Sequence, residues 1–350
     1  MEVISHYLPQ FHPIPENDEW WGTGFTEWTN VTKATPLFRG HVQPHLPADL
    51  GFYDLRVSEA RVAQADMARR YGVTGFCYWH YWFAGKRLLE RPFDEVLASG
   101  EPDFPFCVAW ANQTWSGIWH GAPDRILIEQ TYPGPEDEAR HFAYLLPAFC
   151  DERYIRVADR PVMFIYKPGD LPDPAGFVER WQAMARAAGL EELYLVAGLG
   201  ESYYPTHAED GFDAGVYYQL PFGYDLGVRI RNSLMARGHM EGPKRYPYPD
   251  TFPEIPDGLK GPIFPCVYPN WDNTPRSGRR GVLATGATPE RFGMHVRRAL
   301  EIARALPEDQ QVLVIKSWNE WAEGNYLEPD RETGHARGDV LARDLRRSGN

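Results

Sequence analysis

Residues 312–329 read VLVIKSWNEWAEGNYLEP. Val312, Leu313, Val314 and Ile315 make an unbroken apolar run of the kind that forms a strand buried on both faces. Polar chemistry follows at once: Lys316, Ser317, Asn319, Glu320 and Glu323, with Trp318 and Trp321 among them, ended by Gly324. In an α/β fold the carboxyl end of a parallel strand is where active sites are built. Glu320 and Glu323 are three apart. An extended chain sends such a pair to opposite faces, whereas a helical or turn-like loop puts i and i+3 on one face. The second geometry brings two carboxylates to one bound group between indoles, which is the equipment for acid/base work on a glycosidic bond. The plainer alternative is an exposed turn carrying two solvated glutamates; two Trp directly after a buried strand speak against it.

Working outward, seven more apolar runs read as strands: 2–7, 73–79, 105–110, 161–166, 193–198, 213–219 and 262–268. Helices are expected at about 58–71, 93–98, 136–150, 174–188, 289–305 and 335–347. Ser58 is the expected N-cap of the first; Thr288 and Pro289 are the cap and first residue of the helix at 289–305. Eight strands mostly alternating with helices predict a single-domain (β/α)8 TIM barrel with long βα loops, and a doubly wound open sheet is the alternative. Residues 8–54 form a long polar and aromatic loop, which in a compact domain is usually functional. Residues 220–261, rich in Pro, Gly and Tyr, look like a loop insertion with a short helix at 227–237. Nearly every strand's carboxyl end carries aromatic or polar groups: Tyr7, His80, Asn112, Lys167, Glu201, Gln219, Asp272 and Glu320. A barrel makes these converge on one mouth.

Composition narrows the function. The chain has 350 residues, 43% of them hydrophobic, enough for a large core. A net charge of −12 argues against nucleic acid or an anionic membrane as main partner. No stretch of 18 apolar residues exists, so no membrane span is expected. No signal peptide is read, because Met1 leads within two residues into the first strand, and a cytoplasmic location is the expectation. Cys77, Cys107, Cys150 and Cys266 show no metal spacing and read as thiols in a reducing compartment, three of them within strands. There is no GxGxxG or P-loop after a strand, and neither HExxH nor an EF-hand loop, so no cofactor and no metal is expected. Aromatic residues make up 14% of the chain, with 12 Trp and 19 Tyr, many beside polar residues after strands. Rings that line polar clefts suit carbohydrate, whose C–H faces stack on them.

Three segments carry a resemblance: YLPQFHPIPENDEWWGTGFTEWTNV (7–31), YWFAGKRLLERP (81–92) and SWNEWAEGNYLEPD (317–330). They resemble the signature segments of the WbsX-type family, whose members are often labelled glycosyltransferases or lipopolysaccharide biosynthesis proteins. That family is similar in turn to glycoside hydrolase family 99, the endo-α-mannosidases, which are (β/α)8 barrels. The resemblance implies that Glu320 acts as base towards the sugar's own 2-hydroxyl, which attacks the anomeric carbon to give a 1,2-anhydro sugar. It implies that Glu323 is acid to the leaving group and then base to water, a departure from the usual two-carboxylate scheme. One position departs from the family pattern: WANQTW (110–115) has Gln113 where a glutamate is expected, and an amide keeps hydrogen bonding but loses proton transfer.

The remaining candidates carry two readings each. Asp272 and Trp271, in YPNWDNTPR, are sugar ligands or loop residues. His80 is a ligand or a buried structural histidine. Asn112 and Asn319 are amide donors for hydroxyls or structural. Lys316 pairs with a carboxylate, holding Glu320 ionised, or faces a barrel neighbour. Trp110, Trp318 and Trp321, like Trp20, Trp21 and Trp28, stack on sugar or pack loops. Glu27 is a subsite ligand or a cap, and Tyr7 lies at the first strand's end. The reading is a retaining glycoside hydrolase or transglycosylase acting on a polysaccharide or O-antigen-like glycan. The alternatives are a glycosyltransferase, for which RIRNSLMARGH (229–239) and PRSGRR (275–280) are the only basic candidates, and a non-catalytic glycan-binding barrel.

Overall fold

The computed structural model describes residues 1–117, 122–200, 206–236 and 241–348. Its centre is a ring of strands: β1 (Glu2–Tyr7), β2 (Gly75–Phe83), β3 (Phe106–Trp110), β4 (Arg160–Ile165), β5 (Tyr194–Leu199), β6 (Ala214–Tyr217), β7 (Ile263–Val267) and β8 (Val312–Ile315). Each is parallel to its neighbours in chain order, from Ile4 opposite Gly75 to Val267 opposite Ile315. Pairing of Glu2 with Val312 closes the ring. An open doubly wound sheet has two edges; here β1 is hydrogen-bonded on both sides, so the architecture is the (β/α)8 barrel.

The helices in chain order are α1 (Pro15–Trp21), α2 (Glu27–Lys33), α3 (Ser58–Tyr71), α4 (Arg91–Ser99), α5 (Pro135–Phe149), α6 (Pro174–Ala187), α7 (Leu226–Ala236), the single turn α8 (Thr274–Ser277), α9 (Pro289–Arg304) and α10 (Ala336–Ser348). Among the described residues the β5–β6 connection has no helix. Local chemistry sets the boundaries. Thr288 caps α9, its hydroxyl accepting from the Arg291 N–H, with Pro289 in first place. Asp173 does the same for α6 through Gly176. Gly72 stops α3 in the left-handed region at φ 82°. The expectation for Ser58 is corrected: Val57 holds the cap position, and Ser58 is already helical with its hydroxyl turned to Glu59. The segment at 8–54 is not all loop either. It holds α1 and α2, the latter closed by reciprocal bonds between Thr26 and Thr29.

The ring is dry. Every residue of β2, β3, β5, β6, β7 and β8 is buried, as in sheets covered on both sides. Cys77, Cys107 and Cys266 lie in it as free thiols, whereas Cys150 is exposed at the end of α5. Residues 220–261 carry α7 and a short strand, Lys244–Pro247, that pairs with Val282–Thr285 outside the ring. Among the described residues no helix is long and apolar enough to cross a membrane.

Candidate active site

Strand register decides what reaches the barrel mouth. Side chains alternate along a strand, so only every second residue faces the axis. The first residue past β1, β3, β4, β6, β7 and β8 is Leu8, Ala111, Tyr166, Tyr218, Tyr268 and Lys316 in turn, and all six line one cavity of about 530 Å³. Strand β2 runs further and contributes Trp79 and Tyr81. The rim comes from the long N-terminal segment (Gln10, Asn17, Trp21, Phe25, Asn30), from Gln113 to Ser116, and from Trp271 and Arg276.

Glu320 and Glu323 form the floor. Residues Trp321–Glu323 make a 3-10 turn, in which side chains three apart eclipse, so both carboxylates enter the same cavity. Gly324 ends the turn at φ 68°, and a β-carbon there would meet the Asp272 backbone nitrogen at 2.6 Å. That backbone N–H donates to the Glu323 carbonyl, also at 2.6 Å, so only glycine fits the crossing.

The two carboxylates live in opposite surroundings. Glu320 accepts from Trp79 Nε1 (2.6 Å), Lys316 Nζ (2.9 Å) and Asn325 Nδ2 (2.8 Å). Burial alone would push its carboxyl up, but the Lys316 charge, with help from Glu323, the Lys316 hydrogen bond and the Arg276 charge, outweighs it and holds the group at about 2. Glu323 has one strong partner, Arg276 Nη1 at 2.6 Å. Burial pushes Glu323 up to about 7; Arg276 opposes the rise and the negative charge of Glu320 adds to it. Each carboxylate acts on the other, lowering the proton affinity of Glu320 and raising that of Glu323. One carboxylate is thus ionised and the other carries a proton near neutral pH.

Arg276 is fixed from behind. Its Nη2 donates to Glu27 Oε1 at 2.5 Å, and Glu27, wholly buried, also accepts from Gln10. Below the floor His6 stacks on Trp79 at 4.4 Å and bonds Tyr218. Burial, then Lys316, lower its pKa to about 3, so it stays neutral.

Of the residues singled out in the sequence, Glu320, Glu323, Lys316, Gln113, Trp21 and Trp271 line this cavity. The others stand elsewhere. Tyr7 faces away from the axis and its hydroxyl donates to Gln64 on α3. His80 lies on the outer face of β2, 2.8 Å from His141 of α5. Trp110 packs against the same His141, its indole N–H on the Trp82 carbonyl. Asn112 and Asn319 use their amides on backbone, of Lys167 and Leu8 respectively. Asp272 is enclosed by His41, Gln43 and Thr274. Trp318 is fully buried against Phe76, and Trp321 stacks on Tyr326 while donating to Glu328. Glu27 does not line the cavity and touches it through Arg276 and Gln10. Glu201 and part of 229–239 lie outside the described residues. Sequence reading missed Trp79, Tyr81, Tyr166, Tyr218 and Tyr268, and named Arg276 only within the basic segment PRSGRR; counting alternate residues back from Lys316 through the register finds the aromatic ones.

A family model described as Glycosyltransferase WbsX matches residues 3–339. The chain belongs to the WbsX glycosyltransferase family. Two relatives, both described as uncharacterized protein WxcX and both from strains of Xanthomonas campestris pv. campestris, are 38% identical across 99% of this chain and 50% of their own length. The chain therefore spans half the length of these curated relatives. Among solved structures, a GH99 endo-alpha-mannosidase from Bacteroides thetaiotaomicron superposes with a TM-score of 0.58 at 14% identity, covering 99% of this chain and 97% of that one. A glycoside hydrolase-like protein gives 0.61 at 16%, covering 98% and 93%. At such identity the likeness is one of fold.

Proposed function

We propose that this WbsX-family barrel is a glycan-active enzyme that opens glycosidic bonds with retention, as a hydrolase or transglycosylase. The observation that carries the reading is the pair Glu320 and Glu323, held in opposite protonation states on the floor of one aromatic cavity. Environments that push two carboxylates apart assign the acid and its partner. Glu323 gives its proton to the departing glycosidic oxygen. The 2-hydroxyl of the sugar hydrogen-bonds to Glu320, attacks the anomeric carbon, and passes its proton to Glu320 late, because the Lys316 ion pair makes that carboxylate a weak base. A 1,2-anhydro sugar results. Glu323, now ionised, takes a proton from the incoming water or hydroxyl group, and Glu320 returns its proton to O2. The fold shared with a GH99 endo-alpha-mannosidase supports this scheme. The rings of Trp79, Tyr81 and Trp271 offer faces for sugar C–H groups, and Gln10, Asn17, Asn30 and Gln113 offer amides for hydroxyls.

The test is a glycan-fragment screen followed by assignment of the product anomer by NMR. Glu320→Gln and Glu323→Gln should each remove turnover from a folded protein. Normal cleavage by both would defeat the reading. A transferase reading uses the same pair with a sugar hydroxyl in place of water. It is favoured by the family description and by the cation-lined hollow beside Arg276.

A further inference from the structure

A second cavity, also of about 530 Å³, adjoins the first and shares Arg276 with it. Its walls are the end of α2 with the residues after it (Lys33 to Leu37) and the segment Thr274–Arg280. This is the PRSGRR motif, which the carboxylate chemistry uses only through Arg276. Lys33, Arg276, Arg279 and Arg280 all line the hollow, and no Asp or Glu does. The chain as a whole carries −12, so four cations around one concavity without an acidic lining residue run against its general charge.

The C-terminal end of a helix attracts cations, and Lys33 is what the last turn of α2 calls for. That leaves the other three. Arg276 is tied to Glu27 and Glu323. Arg279 has a partner only at 3.8 Å, in Glu241, and both side chains are largely in solvent. Among the described residues Arg280 has no ion-pair partner, and Lys33 donates to the neutral amide of Asn30 at 2.7 Å. Burial lowers the Lys33 pKa and the nearby charge of Arg276 lowers it further, against the pull of Glu27. The charge in this hollow is therefore only partly answered from within the protein. Guanidinium groups are the side chains that best match phosphoryl oxygens, two hydrogen bonds at a time.

We infer that this hollow is a phosphoryl-binding annexe: it takes a phosphate or diphosphate carried by the substrate on the side of the cleaved bond nearest Glu323. The proposal rests on the glycan-active reading of the main cavity and names the class of its substrate, a phosphate-bearing glycan or a diphosphate-linked sugar. Arg276 joins the two sites. An anion drawn to its annexe face competes with Glu323 for its positive charge, so occupancy of the annexe raises the proton affinity of the acid.

The experiment is isothermal titration of inorganic pyrophosphate into the whole protein, with sulfate as control. The wild type should bind pyrophosphate more tightly than sulfate. Arg279→Gln with Arg280→Gln should weaken it by about tenfold or more, the loss expected when charge-assisted contacts go, while thermal melting shows the fold intact. Lys33→Gln provides an independent variant on the opposite wall and should weaken it too. Binding that is absent, or equal in wild type and both variants, overturns the annexe. A sugar 1-phosphate that binds better than a nucleoside diphosphate would put the phosphoryl group on the glycan; the reverse order would put it on the donor. Failure here leaves the Glu320→Gln and Glu323→Gln results standing, and failure of those variants to lose turnover leaves pyrophosphate binding standing, so the two readings fall separately.

Discussion

Strand β2 divides two buried polar clusters that look alike in sequence and do opposite work. On its inner face Trp79 and Tyr81 meet Glu320, Lys316 and Glu323 beside a cavity. On its outer face His80 and Trp82 meet His141, with Trp82 stacked on that ring at 4.6 Å and donating to Asp137. Both clusters are aromatic, polar and almost without solvent contact. The outer one is closed: burial lowers the His80 pKa to about 3 and that of His141 well below normal, so two neutral rings share one hydrogen bond. The inner one keeps charge, an ion pair and space for a ligand. Burial of polar groups alone does not mark a site; a charge kept beside an open volume does.

The sharpest way to break this contrast is at the inner acid. Glu323→Gln should lower turnover by roughly 10²–10⁴-fold, the usual worth of a positioned proton donor, and Glu320→Gln should cost at least as much. Steady-state rates on a cleaved glycan fragment check both. Lys316→Met comes next. It leaves Glu320 buried with no cation beside it, a change that costs on the order of 3–5 kcal/mol in other buried pairs. Denaturant unfolding should show the loss, together with a raised pKa for Glu320. His80→Phe tests the outer cluster: stability should fall by about 1–3 kcal/mol as His141 loses its partner, with turnover per folded molecule unchanged. A large drop in turnover would mean that β2 does not insulate its two faces.

The most gradual effect expected is in pH dependence. The folded-state pKa of Glu323, and that of Glu328 beneath Trp321, are both raised to about 7, first by burial. Between the ordinary carboxyl range and about 7 the native state holds more protons than the unfolded chain, so these groups make stability fall as pH rises through that window. Glu320, held at about 2, acts in the opposite sense, and its contribution is lost only as pH falls towards 2. Thermal melts between pH 4 and 8 should show the first slope, and Glu328→Gln should flatten it. Turnover should decline above pH about 7 as Glu323 loses its proton.

The barrel was readable because its strands are continuous apolar runs separated by capped helices. That same continuity hid the parity of each strand. A strand buried on both faces shows no alternation, so hydropathy cannot say whether Tyr7 or Leu8, His80 or Tyr81, Trp110 or Ala111 faces the axis. At β8 the sequence offered a pairing of Lys316 with a carboxylate beside the alternative of a barrel neighbour, and the ion pair with Glu320 decides between them. The i, i+3 argument applied to Glu320 and Glu323 because the turn that holds them is local. Arg276 was out of reach for the opposite reason, as its partners lie 249 and 47 residues away.

Arg276 has one hand on Glu27 and the other on Glu323. The acid can therefore take its final position only after the start of the chain, a late surface turn and the last strand have met. On the proposed roles, a molecule cut between those points keeps both carboxylates but loses the brace that sets the acid, so the acid is a reporter of the closed ring.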